Sequence, residues 1–307
     1  MGAVAHELTE GKDSLAMSET TSAVTPRQEE ETSPRELLSL ALDTAREAGA
    51  LLLRSLGQVQ EISYKKGDKD LVTALDKQSE ALIAQRIRAV YPHHKILAEE
   101  GATGGQDSAY TWIVDPLDGT TNYAHAFPAF AVSIAVQYNQ DLVCGVVFAP
   151  ALNELYAASR GGGATLNGRT ISASTTDEVK RALVGSSFTY DPHEVGQWSR
   201  ANTFIRTMQA LRNIGSAALE LCYVADGRFD AYLQPGLSAW DMAGAAVIIQ
   251  EAGGKVTNYQ GKPLDVHKKQ IVASNGRLHD QVIAMLNPTL RARLSGQRSG
   301  TWPGDGC

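Results

Sequence analysis

The first regular pattern in the chain is a run of apolar residues at helical spacing that begins after residue 33. Ser33 is suited to cap a helix, Pro34 to occupy its first position, and Glu36 to close a capping box. Leucines and alanines then recur every three or four residues until Gly57, a residue type that commonly ends helices. The pattern therefore predicts an amphipathic helix between Ser33 and Gly57.

A second helix is predicted to follow Asp76, with Ile83, Ile87 and Val90 on one face and Pro92 at its end. The further helices predicted are a segment around Glu194–Arg212, then Ser216–Ala225, Met242–Ala252 and Leu278–Leu286. Short apolar runs between turn residues predict strands at Lys95–Ala98, Thr111–Val114, Phe130–Tyr138, Leu142–Phe148, Ala182–Ser187, Phe229–Leu233 and Ile271–Ala273.

The predicted elements come as hairpins first and as alternating strands and helices after about residue 180. This order predicts an α/β protein with two sheets and with helices around and between them. The segment 242–252 is apolar nearly all round, so we expect it to be buried between the sheets. The predicted parts are a disordered acidic tail over 1–32, an α+β part over 33–180, an α/β part over 181–287 and a flexible tail over 288–307.

The composition argues against several classes of protein. A hydrophobic content of 43% and a charged content of 20% are ordinary for a globular chain of 307 residues. The net charge of −6 argues against a nucleic-acid binder, and no apolar run approaches the roughly 20 residues that cross a bilayer. The three cysteines have no paired spacing, which disfavours a zinc site and indicates a cytoplasmic location. The seven histidines show no ligand spacing and are expected on the surface.

Two acids that follow a buried strand carry the strongest chemical signal. Asp115 and Asp118 come directly after the apolar run at 112–114, and Thr120 and Thr121 follow them. Because desolvated carboxylates are costly, this position requires a compensating partner such as a cation. The hydroxyl and N–H groups beyond the acids could hold an anion. The stretch therefore predicts a site that takes a metal on one side and a phosphate on the other.

Further acids also stand where predicted elements begin or end. Glu99 and Glu100 follow a strand, while Asp76 and Asp241 each open a helix. Taken singly, these acids have ordinary explanations as a turn, a solvated pair or a helix cap. Their combination with the small-residue helix entry at 215–218 favours a common site. All-oxygen ligands suit Mg²⁺, or else Mn²⁺ or Ca²⁺, better than zinc, and three converging segments could hold two ions about 3.5–4 Å apart.

Two long motifs carry a resemblance to a known family. Trp112 to His125, WIVDPLDGTTNYAH, resembles the first signature of the inositol monophosphatase family of Mg²⁺-dependent, lithium-sensitive phosphatases. Trp240 to Gly254, WDMAGAAVIIQEAGG, resembles the second, and the likeness runs from about Ser33 to Leu286. The resemblance implies a layered αβαβα sandwich of the inositol monophosphatase/fructose-1,6-bisphosphatase type, a homodimer, and a small-molecule phosphate ester as substrate.

The resemblance also implies a role for each matching residue. The metal ligands would be Glu99, Asp115, the Leu117 carbonyl, Asp118 and Asp241, holding two or three Mg²⁺ ions, or Mn²⁺ in their place, with Asp115 as a bridge. The catalytic residues would be Thr120, Asp76 and Glu99, which orient and deprotonate the attacking water. The substrate contacts would be Gly119, Thr120, Gly215, Ser216, Ala217, Gln234, Asp241 and Lys65.

One departure from the family concerns the alcohol side of the substrate. Gln234 stands where many inositol-specific members carry an acid, and an amide keeps hydrogen bonding but loses the charge. The expected activity is therefore Mg²⁺-dependent hydrolysis of inositol 1-phosphate, with histidinol phosphate, fructose 1,6-bisphosphate or nucleotide phosphates as alternative substrates. A different class also stays open, a regulatory module that binds a partner, because some bacterial relatives associate with the transcription machinery.

Overall fold

The structure, a computed structural model, describes residues 32–58, 62–64, 71–101, 103–104, 108–186 and 207–286. Lys65, most of the predicted helix at 194–212 and nearly all of the two predicted tails lie outside the described residues. The described helices are α1 Pro34–Ser55, α2 Ala74–Val90, α3 Thr120–Ala124, α4 Ala217–Ala225, α5 Ala239–Glu251 and α6 His279–Leu286. Within the described ranges, no helix combines the length and the apolar character needed to cross a bilayer.

The described strands divide into two large sheets and one short ribbon. The ribbon pairs β1 Ile62–Tyr64 with β2 Leu71–Thr73. The strands of the first sheet are β3 Lys95–Ala98, β4 Thr103–Gly104, β5 Tyr110–Asp118, β6 Ala131–Tyr138, β7 Asp141–Ala149, β8 Glu154–Ser159, β9 Gly163–Leu166 and β10 Arg169–Thr170. Those of the second sheet are β11 Leu183–Gly185, β12 Ala210–Arg212, β13 Ala231–Pro235, β14 Lys255–Thr257 and β15 Gln270–Ser274.

Both large sheets mix parallel and antiparallel neighbours. The eight-stranded sheet has the order β10-β9-β8-β7-β6-β5-β3-β4, in which β3 and β5 are parallel and the other pairs are antiparallel. The five-stranded sheet has the order β12-β11-β13-β15-β14, and β11 runs parallel to both of its neighbours. The hairpins therefore belong to the first sheet and the βα alternation to the second.

Helices and sheets alternate in five layers. Helices α1 and α2 pack on one face of the eight-stranded sheet, while α4 and α5 pack on its other face and also on the five-stranded sheet. Helix α6 packs on the strand β15 and closes a core on the outer side of the second sheet. The layered αβαβα sandwich is thus confirmed, and so is the burial of α5 between the sheets.

Helix α5 approaches the first sheet through a contact between two glycines. A Cβ atom on Gly145 of β7 would overlap the carbonyl oxygen of Gly244 in α5. A Cβ atom on Gly244 would lie 2.9 Å from Oγ of Ser133 and 3.2 Å from the Val146 carbonyl oxygen. Backbone therefore packs directly on backbone here, which holds the start of α5 close to β6 and β7.

Most of the predicted boundaries agree with the structure, and the differences have local causes. The Ser33 hydroxyl caps α1 by accepting from the N–H of Arg35 at 3.2 Å, so it does not make the capping-box bond expected with Glu36. Val90, predicted on the buried face of α2, is 54% exposed because it is the last residue of the helix. Residues 210–212 form β12 beside β11, so the predicted helix was wrong at that end.

The prediction that the histidines lie on the surface was wrong for His94 and His279. His94 stacks on Tyr91 and Tyr110, and its Nδ1 accepts from the Trp112 indole N–H at 3.1 Å. His279 is 1% exposed, and its ring nitrogens lie 2.8 Å from Oγ1 of Thr257 and 2.9 Å from Oγ of Ser274. Each imidazole is therefore a satisfied polar group of the core.

The burial of His279 predicts that this residue, taken by itself, destabilises the fold in mild acid. Burial lowers the pKa of His279 from 6.5 to about 4, so the unfolded chain binds a proton first as the pH falls below 6.5. The contribution of this residue to stability is present above pH 6.5 and is lost towards pH 4, by about 3 kcal/mol in total. Urea unfolding of the natural protein and of a His279 variant at pH 7 and pH 4.5 measures this contribution as the difference between the two proteins, because buried acids with raised pKa values titrate in the same range.

The control for this experiment compares two histidine variants. On going from pH 7 to pH 4.5, the unfolding free energy of His279→Gln should rise relative to that of the natural chain, because its amide does not titrate in this range. The same substitution at the exposed His267 should leave the pH dependence as it is in the natural chain. The same change with pH in all three proteins would contradict the role of His279.

Candidate active site

A bulge in β5 directs two acids to the same side of the sheet. On a regular strand, residues three apart face opposite sides. Asp115 pairs with Ser133 and Asp118 with Ala131, so β5 has one residue more than β6 between these two pairs. Pro116 has no N–H to give to the ladder, and its carbonyl oxygen accepts from the Ser79 hydroxyl at 2.9 Å. The extra residue therefore brings Asp115 and Asp118 to one face.

The N-terminus of α4 holds the carboxylate of Asp118. The Ser216 hydroxyl donates to Oδ2 of Asp118 at 2.5 Å, and the N–H of Ala218 donates to the same oxygen at 2.9 Å. The N–H of Ala217 donates to Oδ1 at 3.2 Å. Burial raises the pKa of Asp118 to about 6, although these hydrogen bonds act in the opposite direction. The polar atoms of Ser216 and Ala217, predicted to line the alcohol side, are thus directed at Asp118.

The third acid is brought to the site by the first turn of α5. The N–H of Ser238 donates to Oδ2 of Asp241 at 2.6 Å, and the two residues form a reciprocal capping box. The hydroxyl of Ser133, which lies opposite Asp115 in the ladder, donates to the Trp240 carbonyl oxygen at 3.2 Å. One buried serine therefore connects the strand pair that carries Asp115 to the turn that carries Asp241.

These three carboxylates form a compact group that could hold a metal ion. Asp115, Asp118 and Asp241 each offer an oxygen, and the three oxygens lie within 4.8 Å of one another. Burial, with the charges of Glu99, Asp118 and Asp241, raises the pKa of Asp115 well above its usual value. Burial and the Asp118 charge raise the pKa of Asp241 to about 8. Glu99 is near enough to act on Asp115 and Asp241, but it is not one of the three.

A hydroxyl between a buried acid and a carbonyl lies at the start of α3. Oγ1 of Thr120 is 3.1 Å from Oδ1 of Asp76 and 3.1 Å from the Leu117 carbonyl oxygen. Asp76 is fully buried in the first turn of α2. Gly119 caps α3 with a φ of 86°, and a Cβ atom there would lie 3.0 Å from the Ala129 oxygen. The turn therefore requires glycine for its conformation and for the space around it.

The predicted alcohol-side residues are partly assembled around this turn. Gly215 packs against Gly119, because a Cβ atom on Gly119 would lie 3.1 Å from the Gly215 oxygen. Gln234 lies on β13, where its Oε1 accepts a hydrogen bond from the buried Tyr232 hydroxyl. Lys65, the remaining predicted contact, lies outside the described residues.

Two polar residues near the site were missed in the sequence analysis. Nδ2 of Asn122 in α3 donates to the Ala129 oxygen at 2.7 Å and to the Ile214 oxygen at 2.8 Å. Glu220 is fully buried in α4, and its Oε1 accepts from the N–H groups of Ile214 and Gly215. An acid in an otherwise apolar helix was a visible signal for Glu220, whereas Asn122 had none beyond its place after the two threonines.

Comparison with known proteins identifies the fold family. A family model described as the inositol monophosphatase family matches residues 33–290. The chain belongs to the inositol monophosphatase family. Family membership makes it a phosphatase, a phosphoric monoester hydrolase of a metal-dependent kind.

Relatives in this family cover nearly the same length. The chain is 39% identical over 266 residues to the Nus factor SuhB of Pseudomonas aeruginosa, covering 84% of this chain and 98% of the relative. It is 40% identical over 263 residues to an inositol-1-monophosphatase of Synechocystis sp., covering 84% of this chain and 92% of the relative. The crystal structure of the extragenic suppressor protein suhB from Bartonella henselae superposes with a TM-score of 0.78 at 34% identity, covering 82% of this chain and 98% of that one.

The repulsion among the three acids predicts that removing one charge stabilises the metal-free protein. The pKa of Asp241, about 8, lies above that of an unfolded aspartate, so its contribution to stability is present in acid and is lost as the pH rises through 8. Asp241→Asn keeps an oxygen for the Ser238 N–H and removes the charge. In EDTA at pH 8, we expect its melting temperature to rise by about 2–4 °C, equivalent to about 1 kcal/mol.

The same melts at pH 5 provide the control. There the natural protein already carries a proton on this group, so the gain from Asp241→Asn should shrink. An equal gain at both pH values would show that charge repulsion is not its cause.

Proposed function

We propose that the protein is a Mg²⁺-dependent phosphate monoesterase whose preferred substrate is myo-inositol 1-phosphate. The observation that carries this proposal is the group formed by Asp115, Asp118 and Asp241, next to the Thr120–Asp76 pair. A dianionic phosphate ester repels an attacking water, and its leaving alkoxide is poor. A site for this substrate therefore needs a concentrated positive charge and a group that accepts the proton of water.

The acidic residues fit divalent metal ions. Three like charges lie within 4.8 Å of one another, two of them buried, and their repulsion raises the pKa of Asp115 and of Asp241. A hard cation that prefers oxygen ligands relieves this repulsion. Asp115, Asp118, Asp241, Glu99 and the Leu117 carbonyl are the proposed ligands of two or three Mg²⁺ ions. When bound, these ions neutralise the phosphate charge and lower the pKa of a coordinated water.

Thr120 is proposed to relay a proton from the attacking water to Asp76. Its hydroxyl has a single proton and two acceptors, Oδ1 of Asp76 and the Leu117 oxygen, each at 3.1 Å. While Thr120 donates to Asp76, its lone pairs accept from the attacking water and orient it. The water proton then passes through Thr120 to the Asp76 carboxylate, with Glu99 assisting nearby, as the water oxygen bonds to phosphorus and the ester P–O bond breaks. The leaving alkoxide takes up a proton from solvent. A covalent enzyme intermediate is not needed.

The proposed substrate contacts lie around the Gly119 turn. The N–H groups of Gly119 and Thr120 bind the phosphate, and the left-handed conformation of Gly119 lets the backbone approach it closely. Gly215, Ala217 and Asp241 are proposed to line the alcohol side, with Gln234 beyond them, whereas the buried Ser216 acts through its hydrogen bond to Asp118. Because Tyr232 occupies Oε1 of Gln234, the amide presents its N–H₂ group as a donor to a ring oxygen.

The proposal also includes the cellular location and the oligomeric state of the enzyme. Cys144 and Cys222 are buried free thiols with raised pKa values, which fits a reducing cytoplasm and argues against a nucleophilic role. A homodimer, as the resemblance implies, completes the proposed assembly.

A second candidate is regulation through a partner, favoured by the name Nus factor of the Pseudomonas relative. If the purified chain binds a protein partner but hydrolyses no phosphate ester with Mg²⁺, this candidate replaces the first.

Loss of one metal ligand should abolish turnover without unfolding the protein. Asp115→Asn and Asp241→Asn each keep the shape of the side chain but remove a charge from the proposed ligand set. We expect kcat to fall by about 10³-fold or more on myo-inositol 1-phosphate with Mg²⁺, while circular dichroism is unchanged. Retained turnover in either variant would rule out the metal assignment.

A comparison of kcat/KM for inositol, histidinol, fructose and nucleotide phosphates tests which of these esters is the preferred substrate.

The choice of alcohol should respond to residue 234. In Gln234→Glu the carboxylate offers lone pairs beyond the one taken by Tyr232 and can accept from ring hydroxyls. We expect kcat/KM for myo-inositol 1-phosphate, relative to the poorly hydroxylated ester phenyl phosphate, to rise by about tenfold. Tyr232→Phe, which frees Oε1 of the natural glutamine, should shift the ratio in the same direction. An unchanged ratio in both variants would place the alcohol away from Gln234.

A further inference from the structure

Glu220 is a buried acid that the proposed mechanism does not use. It is 0% exposed in α4, a helix whose other residues are apolar apart from the Tyr223 hydroxyl. Its Oε1 accepts from the N–H of Ile214 at 2.9 Å and from the N–H of Gly215 at 3.1 Å, and its Oε2 is buried without a hydrogen-bond partner among the described residues. Burial raises the pKa of Glu220 to about 7. Burying a carboxyl group costs free energy, so we expect this acid to have a role beyond packing.

The two amides that Glu220 binds belong to the segment that leads into α4. Gly215 has a φ of +85°, so the chain turns sharply there before Ser216 begins the helix. Two consecutive N–H groups that point at one oxygen form a concave donor pair, which a carboxylate fills well. Glu220 therefore closes this turn from within its own helix.

Segment 214–216 touches the site at three points. The Ile214 oxygen accepts from Nδ2 of Asn122 in α3 at 2.8 Å. The Gly215 oxygen lies against Gly119, where a Cβ atom would be 3.1 Å away. The Ser216 hydroxyl donates to Oδ2 of Asp118 at 2.5 Å. Any displacement of the segment would thus move both an acid of the metal group and the turn assigned to phosphate.

We propose that Glu220 is a positioning residue that fixes Asp118 and the Gly119 turn by binding the Ile214 and Gly215 amides. It acts through segment 214–216 and does not touch the substrate. The proposal rests on the function proposed above, because it takes Asp118 as a metal ligand and the Gly119 turn as the phosphate site.

Two conservative variants separate the reach of the side chain from its charge. Glu220→Gln keeps the length and one oxygen that can accept from both amides, but it loses the charge. Glu220→Asp keeps the charge but is one methylene too short. We expect Glu220→Gln to bind Mg²⁺ within about twofold of the natural protein, and Glu220→Asp to bind it about tenfold more weakly, with a similar loss in kcat/KM on myo-inositol 1-phosphate.

Three measurements read out the variants: calorimetric titration with MgCl₂, steady-state kinetics, and hydrogen exchange of peptides covering 214–219. Exchange should accelerate in Glu220→Asp alone. Asp230→Asn is the matched control, because Asp230 is a buried acid that accepts from the Ser174 hydroxyl at 2.6 Å and from the Leu183 N–H at 2.8 Å, away from the site. It should lower the melting temperature and leave Mg²⁺ binding unchanged.

Three results would overturn the role of Glu220. They are unchanged exchange in Glu220→Asp, equal defects in both Glu220 variants, and faster exchange at 214–219 with no change in the Mg²⁺ dissociation constant. Failure of the natural chain to hydrolyse any ester would instead remove the proposed function. In that case the exchange and titration measurements still decide whether Glu220 holds the segment.

Discussion

Mutual repulsion among three closely spaced carboxylates is the constraint on which the rest of this structure depends. Oxygens of Asp115, Asp118 and Asp241 lie within 4.8 Å of one another, and the charges of neighbouring acids raise the pKa of Asp115 and of Asp241. The fold tolerates them through donors that it supplies from several elements. The entry of α4 faces Asp118, the Ser238 amide faces Asp241, and the Leu117 amide donates to Asp115 at 3.0 Å.

The hydrogen-bond donors only partly offset the repulsion among the acids. The repulsion that remains is what would favour binding of a cation. A set of acids fully satisfied by hydrogen bonds would gain little from a cation, whereas these acids keep raised pKa values in spite of their donors. Stability and chemistry therefore oppose each other at the same three residues. The repulsion at the site lowers the free energy of unfolding, and the apolar cores on both sides of α5 offset this loss.

The fold and the grouping of Asp115, Asp118 and Asp241 could be predicted because their signals lie in short stretches of the sequence. The cap at Ser33, the hairpin turns, the uniformly apolar α5 and the two signatures each occupy one short stretch. What could not be predicted depends on partners distant in the chain. The burial of His94 and His279, the pairing of 210–212 with β11, and the contacts of Asn122 and Glu220 arise only once separate elements meet. Periodicity carries no information on such pairings.

The glycine contact between α5 and β7 has a consequence for how the acid group is assembled. Asp241 lies three residues before Gly244, and Gly244 packs directly on Gly145 of β7. The third acid therefore joins the other two through contacts between chain segments that are far apart in sequence, and such contacts are slow to form. A nascent chain would consequently lack the complete acid group until these segments have docked.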